Sequence, residues 1–416
     1  MPYDYFQGQG GKEYIMDSAV AVTYELDDMP IATDELLCQI HQRISMKKHS
    51  IAILYAQPGV DMDILAELLS KELGFPVMGG TTAGASLISS EGYHELAIML
   101  QVLTADDCLF SVAISEELKD DLELRIIATY QQALEALLAQ DAKAEPKLVY
   151  FISSLPPGHA SECLVNGLSK AGRDAPLFGS LAGDDFQFSE QQVFLNSVCG
   201  KDRVVVLLLS GNVKPLFEVM KLEAAERLSR TKITKSNHNI ISEINGRPAI
   251  EYLQGFSFID DETTMLWNYQ FFVELESEVG VPGITMTRAL QSLDKETGEI
   301  SCFGDVPTDS YISLEYCNDQ NVKDSCDQAI DEVLEKLQDK SEDDYSYSTA
   351  FVISGVSREL FLASEKDAEG VLISQKMPAG LAVAGMYGFG EIAPTVEKNG
   401  RPVSCFHNAA IVFCVL

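Results

Sequence analysis

One pattern occurs three times along this chain of 416 residues. An apolar strand runs into a turn, an amphipathic stretch follows, and a short apolar segment closes on glycine. The first copy runs from Ser50 through Tyr55 to Gly59 and resumes at Pro76-Val77-Met78-Gly79-Gly80. The second reads Leu148-Val149-Tyr150-Phe151-Ile152 and resumes at Pro176-Leu177-Phe178-Gly179-Ser180. The third, looser copy reads Ala350-Phe351-Val352-Ile353-Ser354-Gly355 and resumes at Leu381-Ala382-Val383-Ala384-Gly385. Repetition of this kind constrains the architecture before any single motif is weighed. It also points three times to the same strand ends, and strand ends are where α/β folds place their sites.

The repeat extends on both sides. A strand and a helix precede each copy: Ala19 to Tyr24 and a helix from about Thr33 to Ile44; Leu109 to Ile114 and a helix from about Asp120 to Ala139; Tyr311 to Tyr316 and a helix from about Asn321 to Gln338. Thr33 or Asp34 is the expected N-cap of the first helix. In the last helix Cys326, Ile330, Val333 and Leu337 share one face at spacings of three and four. A final apolar strand closes each copy, at Leu96 to Leu103, Val204 to Leu209 and Ala409 to Val415. The expected fold is α/β, with repeated β-α-β-α-β-β units and mixed, mainly parallel sheet packing. Near-continuous apolar strands between helices suit burial on both faces, and right-handed crossovers join them.

From about Lys221 to Phe303 the pattern changes to an inserted antiparallel β-region. Asn245-Gly246 reads as a tight hairpin turn, Ala249 to Gln254 as a short helix after Pro248, and Asp294 to Glu299 as a second hairpin loop. Two domains are expected: residues 14–220 with two repeat units, and residues 221–416 with the insertion and the third. The acidic run Ser341-Glu342-Asp343-Asp344 reads as a solvated loop.

The formal net charge of −33 repels phosphate backbones, which argues against nucleic-acid partners. Nine cysteines without a C-x-x-C spacing argue against structural zinc, iron–sulfur clusters and a disulfide framework. Cys163, Cys326, Cys405 and Cys414 lie in apolar stretches and read as core residues. The acidic start Met1-Pro2-Tyr3-Asp4 is no secretory signal, and no apolar run is long enough to span a bilayer. A cytoplasmic protein without membrane partners is expected. No Walker A, G-x-G-x-x-G or G-x-S-x-G motif occurs, so nucleotide hydrolysis, dinucleotide chemistry and a standard α/β-hydrolase site lack support.

The glycine-rich strand ends are the first candidate sites. Gly79 and Thr81, with Gly179 and Ser180, stand in loops read as open, able to cradle a small anion or carboxylate through backbone N–H groups and hydroxyls. Glycine there also simply permits tight turns. In Met386-Tyr387-Gly388-Phe389-Gly390-Glu391, Tyr387 and Phe389 are expected to wall an apolar pocket, with Glu391 pairing an ammonium group or an arginine. Ser354 and Arg358 end the third strand; Arg358 either forks onto a ligand carboxylate or pairs with Glu359 or Glu365. Of the isolated histidines, His407 and His159 are the better placed, and one axial histidine suffices to hold a haem. An enzyme of unrecognised type would draw on Ser154, Ser180 or Glu391.

These strings resemble the FIST family, an N-terminal and a C-terminal FIST domain in succession. Phe75 to Gly84, Pro176 to Asp184 and Val204 to Gly211 carry the first half. Ile244 to Ala249, Phe303 to Pro307, Arg358, Tyr387 to Glu391 and His407-Asn408 carry the second. The resemblance implies a sensory module of intracellular signal transduction, not an enzyme. It would bind a small ligand such as an amino acid and act on a separate signalling protein, a histidine kinase or a cyclic-nucleotide-signalling enzyme. Some bacterial members resemble haem-based nitric oxide sensors that control a histidine kinase, which makes haem a candidate cofactor. The chain departs from the family at Thr308-Asp309-Ser310, where a glycine is usual, and at Gly355, where a cysteine is common.

Overall fold

The apolar runs that define the repeat become strands buried on both faces. A computed structural model describes residues 16–156, 161–172, 175–187, 189–222, 224, 227–256, 269–275, 285–339, 345–396 and 402–416. The first unit comprises β1 (Met16–Thr23), α1 (Met29–Arg43), β2 (His49–Ala56), α2 (Met62–Leu73), β3 (Val77–Thr81), β4 (Ser86–Ser89), β5 (Gly92–Glu95) and β6 (Ile98–Ala105). The second comprises β7 (Cys108–Ile114), α3 (Leu122–Gln140), β8 (Pro146–Ser153), α4 (Glu162–Gly172), β9 (Leu177–Leu181), β10 (Val193–Leu195), β11 (Val198–Gly200) and β12 (Val204–Gly211). The third opens with β13 (Leu216–Lys221). After an insertion it continues with α6 (Asp319–Asp339), β21 (Thr349–Gly355), α7 (Val356–Leu362), α8 (Ala368–Lys376), β22 (Ala382–Gly388), β23 (Glu391–Val396), β24 (Pro402–His407) and β25 (Ala410–Val415). The insertion contains β14 (Arg227–Asn237), β15 (Ile240–Ile244), β16 (Arg247–Pro248), α5 (Ala249–Gln254), β17 (Tyr269–Glu274), β18 (Thr285–Asp294), β19 (Glu299–Cys302) and β20 (Tyr311–Tyr316).

Each unit builds one mixed sheet by the same rule. Its last strand lies between the first two, antiparallel to both, and its second and third strands form the parallel pair. The parallel character read from the sequence is confined to those three pairs, because the closing strand returns through the middle of the sheet. The expected six-element unit also gains a hairpin that the sequence reading missed. That hairpin is exported: β4–β5 pairs with β22, β10–β11 with β3, and β23–β24 with β9. The export is cyclic, so each unit completes the sheet of another. The inner faces of the three sheets share one core, in which the Tyr55 and Tyr150 hydroxyls are bonded at 2.8 Å and Tyr150 packs on Phe351. The outer faces pack against the helices of their own units.

The repeated glycines have a steric cause. Gly79, Gly179 and Gly385 sit opposite Leu54, Phe151 and Val352 in the parallel pairs. A Cβ there would come within 1.8, 2.2 and 2.8 Å of the carbonyl oxygens of those partners. Close strand approach excludes a side chain, and the same demand falls at one register position in all three copies.

Two assignments from sequence are corrected. The first strand of the third unit is β13, which pairs with β25, whereas Tyr311–Tyr316 belongs to the insertion. The insertion separates β13 from α6, and Tyr311–Tyr316 carries the same alternation directly before that helix. The first helix starts at Met29, not near Thr33. Asp28 caps it by accepting the Ile31 N–H, and Pro30 fits the first turn. The insertion is antiparallel as expected. Its strand order β14-β20-β17-β18-β19-β15, with β14 also pairing β15, closes a small barrel around Ile233, Phe271, Leu290 and Leu314. The turn at Asn245-Gly246 has both residues at positive φ, and Asp294 pairs with Glu299 across the second hairpin. The run 341–344 lies outside the described residues.

Candidate functional site

At the end of β21 the chain turns into α7 and places Arg358 in the interior, fully buried. A buried guanidinium needs a partner, and the partner is Glu369 of α8. Arg358 Nε and Nη2 donate to Glu369 Oε1 at 2.9 and 2.7 Å. Ser354 Oγ and the Tyr387 hydroxyl donate to Glu369 Oε2 at 2.8 and 3.1 Å. Arg358 also reaches the Val322 carbonyl at 3.2 Å. Three of the sequence candidates therefore converge, but on a fourth residue that sequence reasoning missed. Neither expected partner takes the arginine: Glu359 accepts from Ser86 and Tyr93 of the first unit, and Glu365 pairs with Lys323.

Beside this network stands Glu391, the first residue of β23. Its Oε2 accepts the Ala410 N–H at 3.0 Å, while its buried Oε1 has no protein partner. Burial drives this carboxyl well above the usual carboxylate range, against the pull of Arg358. Across the hairpin Glu391 pairs with His407, whose buried ring nitrogens make no hydrogen bond of good geometry, the Ala393 backbone lying near but poorly aligned. Burial, with Lys221 and Arg288 nearby, pushes this imidazole down to about 3. Asn408 Oδ1 is likewise unpartnered. A Cβ on Gly355 would lie 2.5 Å from Glu391 Oε1, so glycine makes room for the carboxylate.

Register shows how unusual this pair is. The exported hairpins align Leu87 opposite His94, Val193 opposite Gly200, and Glu391 opposite His407. Leu87 and Val193 are fully buried in the shared core. The same slot in the third copy holds a carboxyl that is 1% exposed.

The β24–β25 turn meets the barrel here. Thr287 Oγ1 donates to the Asn408 carbonyl at 2.5 Å, and Arg288 Nη1 to the Phe406 carbonyl at 3.3 Å. Arg288 Nη2 and the Asp305 N–H both reach Glu162 Oε1 of α4, each at 2.9 Å. Glu162 Oε2, Asp305 Oδ1 and Gln270 Oε1 are again buried and unpartnered. Leaving such an atom without a bond costs about 1–3 kcal/mol each. A concentration of them where two units and the barrel meet is an arrangement suited to receiving a polar molecule.

Two family matches cover most of this chain: the FIST N domain over residues 50–247 and the FIST C domain over residues 251–394. The chain belongs to the FIST family. The FIST N match runs beyond β13 into the barrel, and the FIST C match ends within β23, three residues past Glu391. No curated protein matches the chain. Two solved cyanuric acid hydrolases, one from A. caulinodans, are 9% identical. They cover 73% and 96% of this chain and 100% and 98% of their own, at TM-scores of 0.31 and 0.34. PurLQS from Thermotoga maritima, also 9% identical, covers 96% of this chain and 72% of its own at 0.22. At these TM-scores the resemblances carry no argument about chemistry.

The FIST glycine loops are brought together, but closed. The Tyr387 N–H donates to Thr82 Oγ1, the Leu181 N–H to the Gly390 carbonyl, and the Gly183 N–H to the Thr81 carbonyl. Thr81 and Ser180 are buried, with hydroxyls donating to the Gly183 and Gly390 carbonyls at 2.7 and 3.1 Å. Gly388 lies against Ser180, where a Cβ would come within 2.0 Å of its Oγ. The expectation of open loops fails because the cyclic hairpin exchange presses the three ends together. Tyr387 is a core side chain, and Phe389, half-buried, contacts Phe186. Ser154 Oγ accepts the Asp202 N–H. His159 lies outside the described residues. A haem needs an open face at its axial ligand. His407 is packed beside Glu391 under the β24–β25 turn, so the residues here do not fit a haem. Cys326 and Cys414 are buried as expected, while Cys163 and Cys405 are half-buried.

Proposed function

We propose that this protein is a cytoplasmic, non-enzymatic sensor whose small ligand binds around Glu391, His407 and Asn408 and whose state is read by a separate protein. FIST domains are signal-transduction sensor domains that bind small ligands. The observation that carries the location is Glu391, a buried carboxyl with a free oxygen in a slot that the fold fills with Leu87 and Val193 elsewhere. A histidine kinase or a cyclic-nucleotide-signalling enzyme is the partner class in keeping with such a module. The hydroxyls of Ser154 and Ser180 bond to backbone groups, which favours the sensor reading over hydrolytic chemistry there. Among the described residues no helix is long and apolar enough to cross a membrane.

Ligand binding would act by favouring one of two arrangements of the barrel against the third unit, since a ligand shifts an equilibrium only by its differential affinity. Native mass spectrometry of protein purified from its host tests the site. A small-molecule adduct is expected in the wild type and lost in Glu391→Leu, a residue this slot accommodates in the first unit. An adduct retained by Glu391→Leu overturns the location, and no adduct in the wild type overturns the sensor reading.

A further inference from the structure

With Glu391 ionised, as a bound cation would hold it, the unpartnered atoms around the site are nearly all hydrogen-bond acceptors. Glu391 Oε1, Asn408 Oδ1, Gln270 Oε1, Glu162 Oε2 and Asp305 Oδ1 are oxygens. The Gln270 orientation is fixed, because its Nε2 donates to the Leu222 carbonyl at 2.6 Å and to Glu315 Oε2 at 2.8 Å. His407 adds one acceptor nitrogen and one N–H donor in either neutral tautomer. The cations nearest these atoms are committed: Lys221 Nζ donates to the Thr285 carbonyl and hydroxyl at 2.6 and 3.1 Å. Arg358 is held by Glu369, and Arg288 is shared among Glu162 and the carbonyls of Thr287, Asp305 and Phe406. Beside ionised Glu391 a ligand carboxylate would meet like charge and find both guanidinium groups and the Lys221 ammonium engaged. Among the described residues no group of three His, Cys, Asp or Glu side chains could hold a metal ion.

We propose that the site recognises a small organic cation through its N–H donors, an alkylammonium or guanidinium group set between Glu391 Oε1, Asn408 Oδ1 and His407. The assignment rests on the sensor reading above and names its ligand class. The three side chains are 1%, 4% and 2% exposed, so the cation enters a desolvated place where a charge-assisted bond to Glu391 is strong. Binding takes the carboxyl in its ionised form, with its proton released to solvent. Entry parts the barrel from the third unit where Thr287 bonds the Asn408 carbonyl. Such a movement joins ligand capture to the barrel.

Isothermal titration of the full chain with agmatine and putrescine tests this, against 1,4-butanediol and succinate of similar length. Moderate salt is needed, because a chain of net charge −33 attracts cations to its whole surface. Saturable binding of agmatine or putrescine is expected, weakened at least tenfold in Glu391→Gln and in Asn408→Ala, with neither control binding. If Glu391→Gln does not fold, Asn408→Ala carries the comparison. Equal binding by wild type and both variants, or cations binding no better than the diol, overturns the proposal. Binding of succinate or the diol that Glu391→Gln abolishes overturns the cation class and leaves the sensor site standing. No binding of any probe, together with no native adduct, overturns both.

Discussion

Removing Arg358 should destabilise the third unit far more than it affects any ligand. The guanidinium is fully buried, and its Nε and Nη2 both end on Glu369 Oε1. Glu369 in turn takes Ser354 and Tyr387 on its other oxygen. Arg358→Met leaves a buried carboxylate that has lost its only cation in this network. Breaking a buried pair in this way costs about 3–5 kcal/mol. That is a large part of the roughly 5–15 kcal/mol that holds a domain together. Replacing both partners, as Arg358→Met with Glu369→Leu, removes both charges. The double variant should recover much of the loss, since hydrophobic replacement of a buried pair is often neutral or stabilising. The measurement is a double-mutant cycle from urea unfolding followed by far-UV circular dichroism. A coupling energy of about 3 kcal/mol or more is expected. If Arg358→Met alone costs less than about 1 kcal/mol, or the double variant equals the sum of the singles, then Glu369 does not hold the arginine. Arg358 would then be available to a ligand carboxylate, as its sequence position first suggests.

Three further perturbations address the neighbouring residues. Gly355→Ala should cost about 1–3 kcal/mol through overpacking, because its Cβ would press on Glu391 Oε1; combining it with Glu391→Ala should relieve most of that loss in thermal melts. Glu391 is protonated well above the usual carboxylate range in the folded state, so above pH 4.5 the unfolded chain releases a proton that the folded chain keeps. Stability from this group therefore falls as pH rises, by about 1.4 kcal/mol per unit until its folded pKa, and the advantage of Glu391→Leu over the wild type should widen from pH 5 to pH 7.5. A flat difference would show that the carboxyl is solvated. His407 has the opposite sign: its imidazole is held at about 3 against 6.5 in the unfolded chain, so acid stabilises the unfolded state. Relative to His407→Gln, the wild type should lose about 3 kcal/mol between pH 6.5 and pH 4; no loss would place the ring in contact with water.

The threefold plan was legible because each copy keeps a local signature. The apolar strand and the glycine opposite it report a backbone contact inside one unit, as at Leu54 and Gly79. The exchange of hairpins was not legible. Its pairing of β4 with β22 joins Ile88 to Gly385, and nothing near either residue names the other. The same limit hid Glu369. Its sequence neighbours are charged or small, and only the approach of α8 to the end of β21 makes it the partner of Arg358. Ser354, Arg358, Tyr387, Glu391 and His407 were legible as individuals, since glycine-bracketed aromatics and a lone arginine at a strand end are unusual. Their partners were not, because those are set by packing between elements.

The duplication also supplies an internal comparison for the site. Leu96, Asp202 and Ala409 hold the same place before the closing strands and share φ near +54°, at 55°, 54° and 54°. Two positions earlier stand His94, Gly200 and His407. His94 is bonded through Nε2 to Ser89 and through Nδ1 to Tyr24, at 2.7 and 2.8 Å. The second unit needs no side chain there at all. The fold therefore demands neither a histidine at this place nor a carboxyl across from it, where Leu87 and Val193 serve the other copies. In the third unit both appear together, both buried, with three of their polar atoms unpartnered. Folding alone would select against that pair, because each unbonded atom lowers stability. Two copies that solve the same packing problem with leucine, valine, glycine and a fully bonded histidine show that the alternative was available. The third unit keeps the less stable arrangement, which is what the proposed ligand site requires, since a bound ligand would supply the missing hydrogen bonds.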